Sequence, residues 1–223
     1  PMHAIMSFTQ LALKHAANDK QTNHLNKIAI SSDRLLRLLN DLLDLSKLEA
    51  GKIDLYFKSY DLAEICTNSI NELHSLIQDK QLQIELIDRV HKKIEIDSDR
   101  SSQVLTNLLS NAIKFSPEKG SILISLNLSS AELNDIGFDG VELIVEDHGI
   151  GIPEMELETV FESFTQSSLT ETKSGGTGLG LPITRQIIEA HHGKIWAVNL
   201  SIANRTKTGS AIHCLLPLKQ PDE

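Results

Sequence analysis

A hydrophobic row that returns every seven residues is the strongest constraint this chain places on its own folding. Ile28, Leu35 and Leu42 form one row, Ser31, Leu38 and Leu45 form a second, and Leu25 and Leu39 widen the stripe. A seven-residue repeat keeps one seam of a helix against a neighbour along its whole length, so this segment has to pack lengthwise on another helix. Ahead of it Ile5, Phe8, Ala12 and His15 follow the same three-four spacing, and the polar stretch 17–23 separates the two. The pattern predicts a helical hairpin, about 1–18 and 24–49, with Gly51 stopping the second helix. One hairpin alone leaves much of the stripe in water. Two copies forming a four-helix bundle would bury it, and so would packing on the rest of the same chain.

From Lys52 onward the periodicity becomes mixed. Ile53, Leu55 and Phe57 alternate as in a strand, and Asp61 can cap a helix running to about Asp79. Alternation returns at Leu82, Ile84 and Leu86 and again at Ile94 and Ile96, before a helix from about Arg100 to Phe115. Strands at 121–128 and 141–147 flank a polar loop containing Asn134, Asp135, Gly137, Asp139 and Gly140, the pattern of an antiparallel hairpin. Residues 162–180, rich in Ser, Thr and Gly, read as a long functional loop. A helix from about Pro182 to His191 and strands at 194–199 and 210–216 complete the chain. The expected class is α+β: a helical hairpin over 1–51, then helices packed on one face of a mixed or antiparallel sheet over 52–223.

With 223 residues there is room for one large domain or two small ones. The net charge of −9 disfavours nucleic acid as a partner and leaves any polyphosphate to be held by local donors and a metal. No apolar run approaches the ~18 residues of a membrane span, so no membrane contact is expected from this segment. Cys66 and Cys214 match no metal or redox spacing, which suits a reduced, cytoplasmic setting. The first residue is Pro1 rather than Met, so the chain is expected to be part of a longer, in some cases membrane-anchored, protein.

Four segments carry chemistry. Asn107, Asn111 and Lys114 stand at i, i+4 and i+7, one helix face above the apolar Leu105, Leu108, Leu109, Ala112 and Ile113. Two amides and an ammonium in a row suit a metal-bridged phosphate, although an ordinary solvated face has the same composition. Asp147 ends an apolar strand and precedes Gly149 and Gly151. An aspartate there can accept hydrogen bonds from an exocyclic amine while the glycines let a flat ligand approach; a tight turn uses the same residues. Gly175, Gly176, Gly178 and Gly180 precede a helix start, where backbone N–H groups and the helix dipole favour an anion. Phe161 and Phe164, three apart, can anchor one end of the 162–180 loop on the core.

In order and spacing these segments resemble the N box, the two glycine boxes and the phenylalanine box of the ATP-binding domain found in histidine kinases and related to gyrase, Hsp90 and MutL. The run 39–51, Leu-Asn-Asp-Leu-Leu-Asp-Leu-Ser-Lys-Leu-Glu-Ala-Gly, is similar to the second dimerisation helix of sensor histidine kinases, and 1–5, Pro-Met-His-Ala-Ile, to the tail of their H box. The resemblance implies an α/β sandwich of the GHKL (Bergerat) type with ATP and Mg²⁺ as ligands. It implies that Asn111 coordinates Mg²⁺ with help from Asn107, that Lys114 approaches the phosphates, and that Asp147 binds the adenine amine beside Gly149 and Gly151. Gly176, Thr177, Gly178, Leu179 and Gly180 would wrap the triphosphate, with Phe164 and Lys173 contributing from a lid over 162–180. The implied partners are a second copy, through 1–51, and a response-regulator receiver domain.

By the same resemblance the phosphoacceptor histidine lies five residues before Pro1, and no catalytic residue is expected in the chain beyond Lys114 as a phosphate stabiliser. His3 falls at a variable position of the motif, and the other histidines, including His191 and His192, match no motif. Gly209-Ser210 resembles a last glycine box only faintly and is given no binding role. Two other readings stay open: a degenerate nucleotide-sensing dimerisation module, and a stand-alone ATPase using Asp99 as its acid.

Overall fold

The computed structural model describes residues 2–15, 18–49, 55–130, 139–165, 167–169, 177–200 and 209–220. The expected hairpin is present as α1 (Met2–Lys14) and α2 (Asp19–Glu49). Helix α2 starts earlier than expected because the Asn18 side chain accepts the Gln21 N–H at 2.9 Å, closing a first turn inside the polar stretch. Its two seven-residue rows go to different places. Leu45 and Leu48 are buried in the main core and Leu38 packs against it, whereas Ile28, Leu35, Leu39 and Leu42 stay exposed.

Strand β1 spans Lys58–Asp61, not 53–57. Ile53 lies outside the described residues, and the chain at 55–57 is held by side chains: the Asp97 carboxylate accepts the Tyr56 N–H, and Phe57 meets the His191 ring edge-on. Asp61 caps α3 (Leu62–Glu72) by accepting the Ala63 N–H at 2.9 Å. The single helix expected to Asp79 is broken at Leu73, and α4 covers only His74–Asp79. Then come β2 (Gln83–Asp88), β3 (Lys93–Ile96), α5 (Ser98–Phe115), β4 (Ser121–Ser129), β5 (Gly140–Asp147), two short helical turns (Glu154–Glu156 and Thr159–Phe161), α6 (Gly180–Ala190), β6 (Lys194–Asn199) and β7 (Ser210–Pro217).

The main sheet runs β2-β4-β5-β7-β6, with β2 and β4 parallel and every other pair antiparallel; β1 and β3 make a separate ribbon. The expected β4–β5 hairpin is antiparallel. Along β5 every second residue, Val141, Leu143 and Val145, is buried. Facing them are Val104, Leu105, Leu108 and Leu109 of α5 and Ile183, Ile187 and Ile188 of α6, one core between the helices and the sheet. The site-bearing segments thus sit at the end of β5 and the facing ends of α5 and α6.

Candidate nucleotide site

Helix α5 is started by Asp97, whose Oδ1 accepts the Asp99 and Arg100 N–H groups at 3.1 Å each. Its buried face holds all five apolar residues expected there, which fixes the opposite row of Asn107, Asn111 and Lys114. Asn107 acts as a brace: its Nδ2 donates to the Gly180 carbonyl at 3.3 Å, tying α5 to the first residue of α6. Among the described residues the Asn111 amide has no hydrogen-bond partner and Lys114 pairs with no carboxylate. The Lys114 ammonium sits 5.0 Å from the Phe115 ring centroid, and burial, with Arg34 of α2 adding to it, pushes its pKa down. An uncommitted amide beside an uncommitted, partly desolvated cation suits a metal-bound anion.

Asp147 is 7% exposed at the end of β5. Its Oδ1 accepts the Gly149 N–H at 2.8 Å and its Oδ2 the Ser210 hydroxyl at 2.7 Å. Burial pushes its pKa up, and these two hydrogen bonds oppose the shift. A carboxylate offers about four acceptor sites, so Asp147 has room for a further donor. Gly149 cannot carry a side chain: a Cβ there would lie 2.6 Å from both Asp147 Oδ1 and the Phe115 carbonyl oxygen, so the first glycine turn rests directly on the end of α5. Gly151 has φ +73°, a left-handed conformation that favours glycine.

Helix α6 begins at Gly180, two residues before the expected start, with no side-chain cap. Pro182 falls where a helix N–H is unpaired in any case, so it costs no bond. Gly178 has φ +71° and accepts the Phe164 N–H at 3.1 Å, joining the second glycine segment to the phenylalanine segment. Of that pair Phe161 is buried but Phe164 is 63% exposed with φ 64°, so only one phenylalanine anchors the loop. Leu179 is fully buried and offers backbone alone. Thr177 accepts the Leu179 N–H and donates to Asp41 of α2 at 3.4 Å. Lys173, Gly175 and Gly176 lie outside the described residues.

Two contributors were given no role from the sequence. Ser210 faces Asp147 because β5 and β7 pair in that register, and a Cβ on Gly209 would lie 2.2 Å from the Asp147 carbonyl oxygen. The faint glycine box therefore backs the site after all. Asn199 pins the loop after Gly151, accepting the Ile152 N–H at 2.9 Å and donating to the Ile152 carbonyl at 2.6 Å. The strand register, rather than any local motif, brings both residues here.

Residues 96–220 match the family described as histidine kinase-, DNA gyrase B-, and HSP90-like ATPase, and residues 1–51 match the His Kinase A (phospho-acceptor) domain; the chain belongs to the sensor histidine kinases of that family. It is similar to the hybrid signal transduction histidine kinase L of Dictyostelium discoideum, at 35% identity over 99% of this chain and 13% of that protein. Its fold is that of full-length ShkA in complex with AMPPNP, with a TM-score of 0.78, 24% identity, all of this chain and 44% of that one covered. It is also that of histidine kinase ThkA in complex with response regulator protein TrrA, with a TM-score of 0.68, 24% identity, 97% of this chain and 57% of that one covered. The chain thus spans less than two thirds of each of these relatives.

Proposed function

We propose that this chain is the catalytic core of a cytoplasmic two-component histidine kinase. It divides at residues 51 and 52 into a dimerisation hairpin and a Mg-ATP-binding domain. In its parent protein the γ-phosphoryl group passes to a histidine upstream of Pro1 and then to an aspartate of a response-regulator receiver domain. The observation that carries this reading is the buried Asp147 carboxylate, with Gly149 pressed on the end of the helix that bears Asn111 and Lys114. The fold shared with ShkA, whose structure holds AMPPNP, and with ThkA, whose structure holds a response regulator, supports it.

In this reading the remaining acceptor site of Asp147 takes the adenine amine, and Gly149 and Gly151 admit the base edge-on. Asn111 holds Mg²⁺, while Asn107 keeps α5 and α6 in register. Magnesium, when bound, neutralises phosphate charge. Lys114, the N–H groups at the start of α6 and the loop around Thr177 and Gly178 face the phosphates. In-line attack by a histidine nitrogen on the γ-phosphorus forms the N–P bond as the bond to the ADP oxygen breaks, so positioning and charge neutralisation are the protein's task. A stand-alone ATPase reading is not favoured: Asp99 lies eight residues before Asn107, about 12 Å of helix rise away.

Asp147→Asn tests the site. The amide can still bond Gly149 and Ser210 but presents the wrong pattern to an amine, so calorimetry should find Mg-ATP affinity lowered about 100-fold. The fold should not suffer. Because burial raises the native pKa, the charged carboxylate costs stability at neutral pH, a cost that disappears as pH falls through the native pKa to below the ordinary 3.8. The variant should therefore melt no lower than the parent at pH 7. Unchanged affinity would remove Asp147 from the site.

A further inference from the structure

Lys80, the residue that ends α4, belongs to none of the motifs above. Its ammonium donates to three backbone carbonyls, those of Ile113 at 2.8 Å, Lys114 at 2.7 Å and Ser116 at 3.0 Å, which uses all three of its N–H bonds. Ile113 and Lys114 stand in the last turn of α5, where carbonyls have no partner further along the helix. The chain itself closes only the bond from the Ser116 N–H to the Ala112 carbonyl. The Lys80 carbonyl accepts the Lys119 N–H at 2.9 Å, so the turn leaving α5 is gathered around this one residue from both sides.

That turn touches both halves of the proposed nucleotide site. The Lys114 carbonyl belongs to the residue whose ammonium faces the phosphates, and Asn111 lies one turn earlier. The next carbonyl, that of Phe115, is the surface on which Gly149 rests, with 2.6 Å between it and a would-be Cβ. A small slide or unwinding of the last turn would shift the cation, tilt the amide and lift the glycine turn together. The rest of α5 is secured independently by the Asp97 cap and the buried Leu105, Leu108 and Leu109. We propose that Lys80 is a positioning residue for the nucleotide site, aligning the end of α5 so that the phosphate side and the base side keep a fixed separation. It touches neither nucleotide nor metal. A compact ammonium can meet three converging carbonyls, which the planar fork of arginine cannot match. The proposal rests on the reading that Asn111, Lys114, Asp147 and Gly149 hold Mg-ATP.

The test uses the whole chain with Lys80→Met, Lys80→Gln, which keeps two donors, and Lys80→Arg. Calorimetry with Mg-ATP is run at a temperature where circular dichroism shows each variant folded. We expect affinity about ten-fold weaker in Lys80→Met, a smaller loss in Lys80→Gln and no full rescue by Lys80→Arg. Amide resonances of Gly149 and the Asn111 side chain should shift in the absence of nucleotide, while those of β6 and β7 stay in place. Folded variants that bind Mg-ATP like the parent overturn the proposal. So does failure of all three to fold, since the lysine then holds the domain together instead of aligning one turn. If the parent chain itself does not bind Mg-ATP, the nucleotide reading fails, and the positioning role with it; binding by the parent with unchanged affinity in the variants refutes the positioning role alone.

Discussion

At His191 two hydrogen bonds decide which ring nitrogen carries the proton. Nδ1 lies 2.8 Å from the Ile187 carbonyl and must donate, while Nε2 accepts the Asp97 N–H at 3.1 Å and must stay bare. The ring is buried, and burial pushes its pKa down from 6.5; the Ile187 bond and the nearby Asp97 oppose the shift and His192 adds to it. In the unfolded chain the ring takes its proton near pH 6.5, in the folded protein only below that. Stability is therefore flat above 6.5 with respect to this group and declines as pH falls from 6.5 toward the native value, by up to about 1.4 kcal/mol per pH unit. Denaturation midpoints at pH 7, 6 and 5, compared with His191→Gln, isolate the effect. The variant should lose less between 7 and 5, and parallel curves would refute it. The coupling is specific because Asp97 both caps α5 and holds Tyr56, so one ring joins the start of α5, the end of α6 and the segment entering the domain.

At the scale of elements, α2 is shared between two surfaces. Its last two turns dock on the sheet domain, with Leu45 and Leu48 in the core and Asp44 accepting from Arg100 at 3.3 Å and Gln103 at 3.1 Å. The apolar contact dominates: Leu45→Ala should cost about 2–3 kcal/mol of docking. Asp44→Ala should cost under about 1 kcal/mol, because its ion pair is partly solvated. Small-angle scattering should show Leu45→Ala expanding while Asp44→Ala keeps the parent's dimensions; an unexpanded Leu45→Ala would exclude the docked arrangement. The sequence disclosed the seven-residue rows but not their division, since Leu45 and Leu42 look alike until the second surface exists. Likewise Asp61, an N-cap by local chemistry, was legible, whereas the break at Leu73 and the start of β1 at Lys58 were not. Leu73 keeps its hydrogen bonds through the bend, and β1 is defined by its pairing with β3.

For the whole molecule, the row left exposed at Ile28, Leu35, Leu39 and Leu42, beside a groove of about 320 Å³ lined by Ile5, Lys27, Ile28, Ser31, Ser32 and Leu35, suits a second copy. Light scattering should report twice the 24.7 kDa chain mass for the parent and a single chain mass for Leu35→Asp combined with Leu42→Asp; a monomeric parent would refute this. At this scale the sequence was informative where chemistry is local in the chain. Asn107, Asn111 and Lys114 share a helix face by spacing alone, and Asp147 with its glycines follows a recognisable strand. Asn199 and Lys80 were silent, and Ser210 was legible only as half of a faint glycine box, because their partners lie 47, 33 or more and 63 residues away and meet them only through register and packing. Helix α2 is one uninterrupted rod of 31 residues, about 46 Å long, that carries the outward row from Ile28 to Leu42 along one side and the buried Leu45 and Leu48 near its C-terminal end. The two rows are geared. Whatever sets the rotation of the hairpin about its own axis also dictates the angular position of the sheet domain and, through Asp41, the angle from which Thr177 is met.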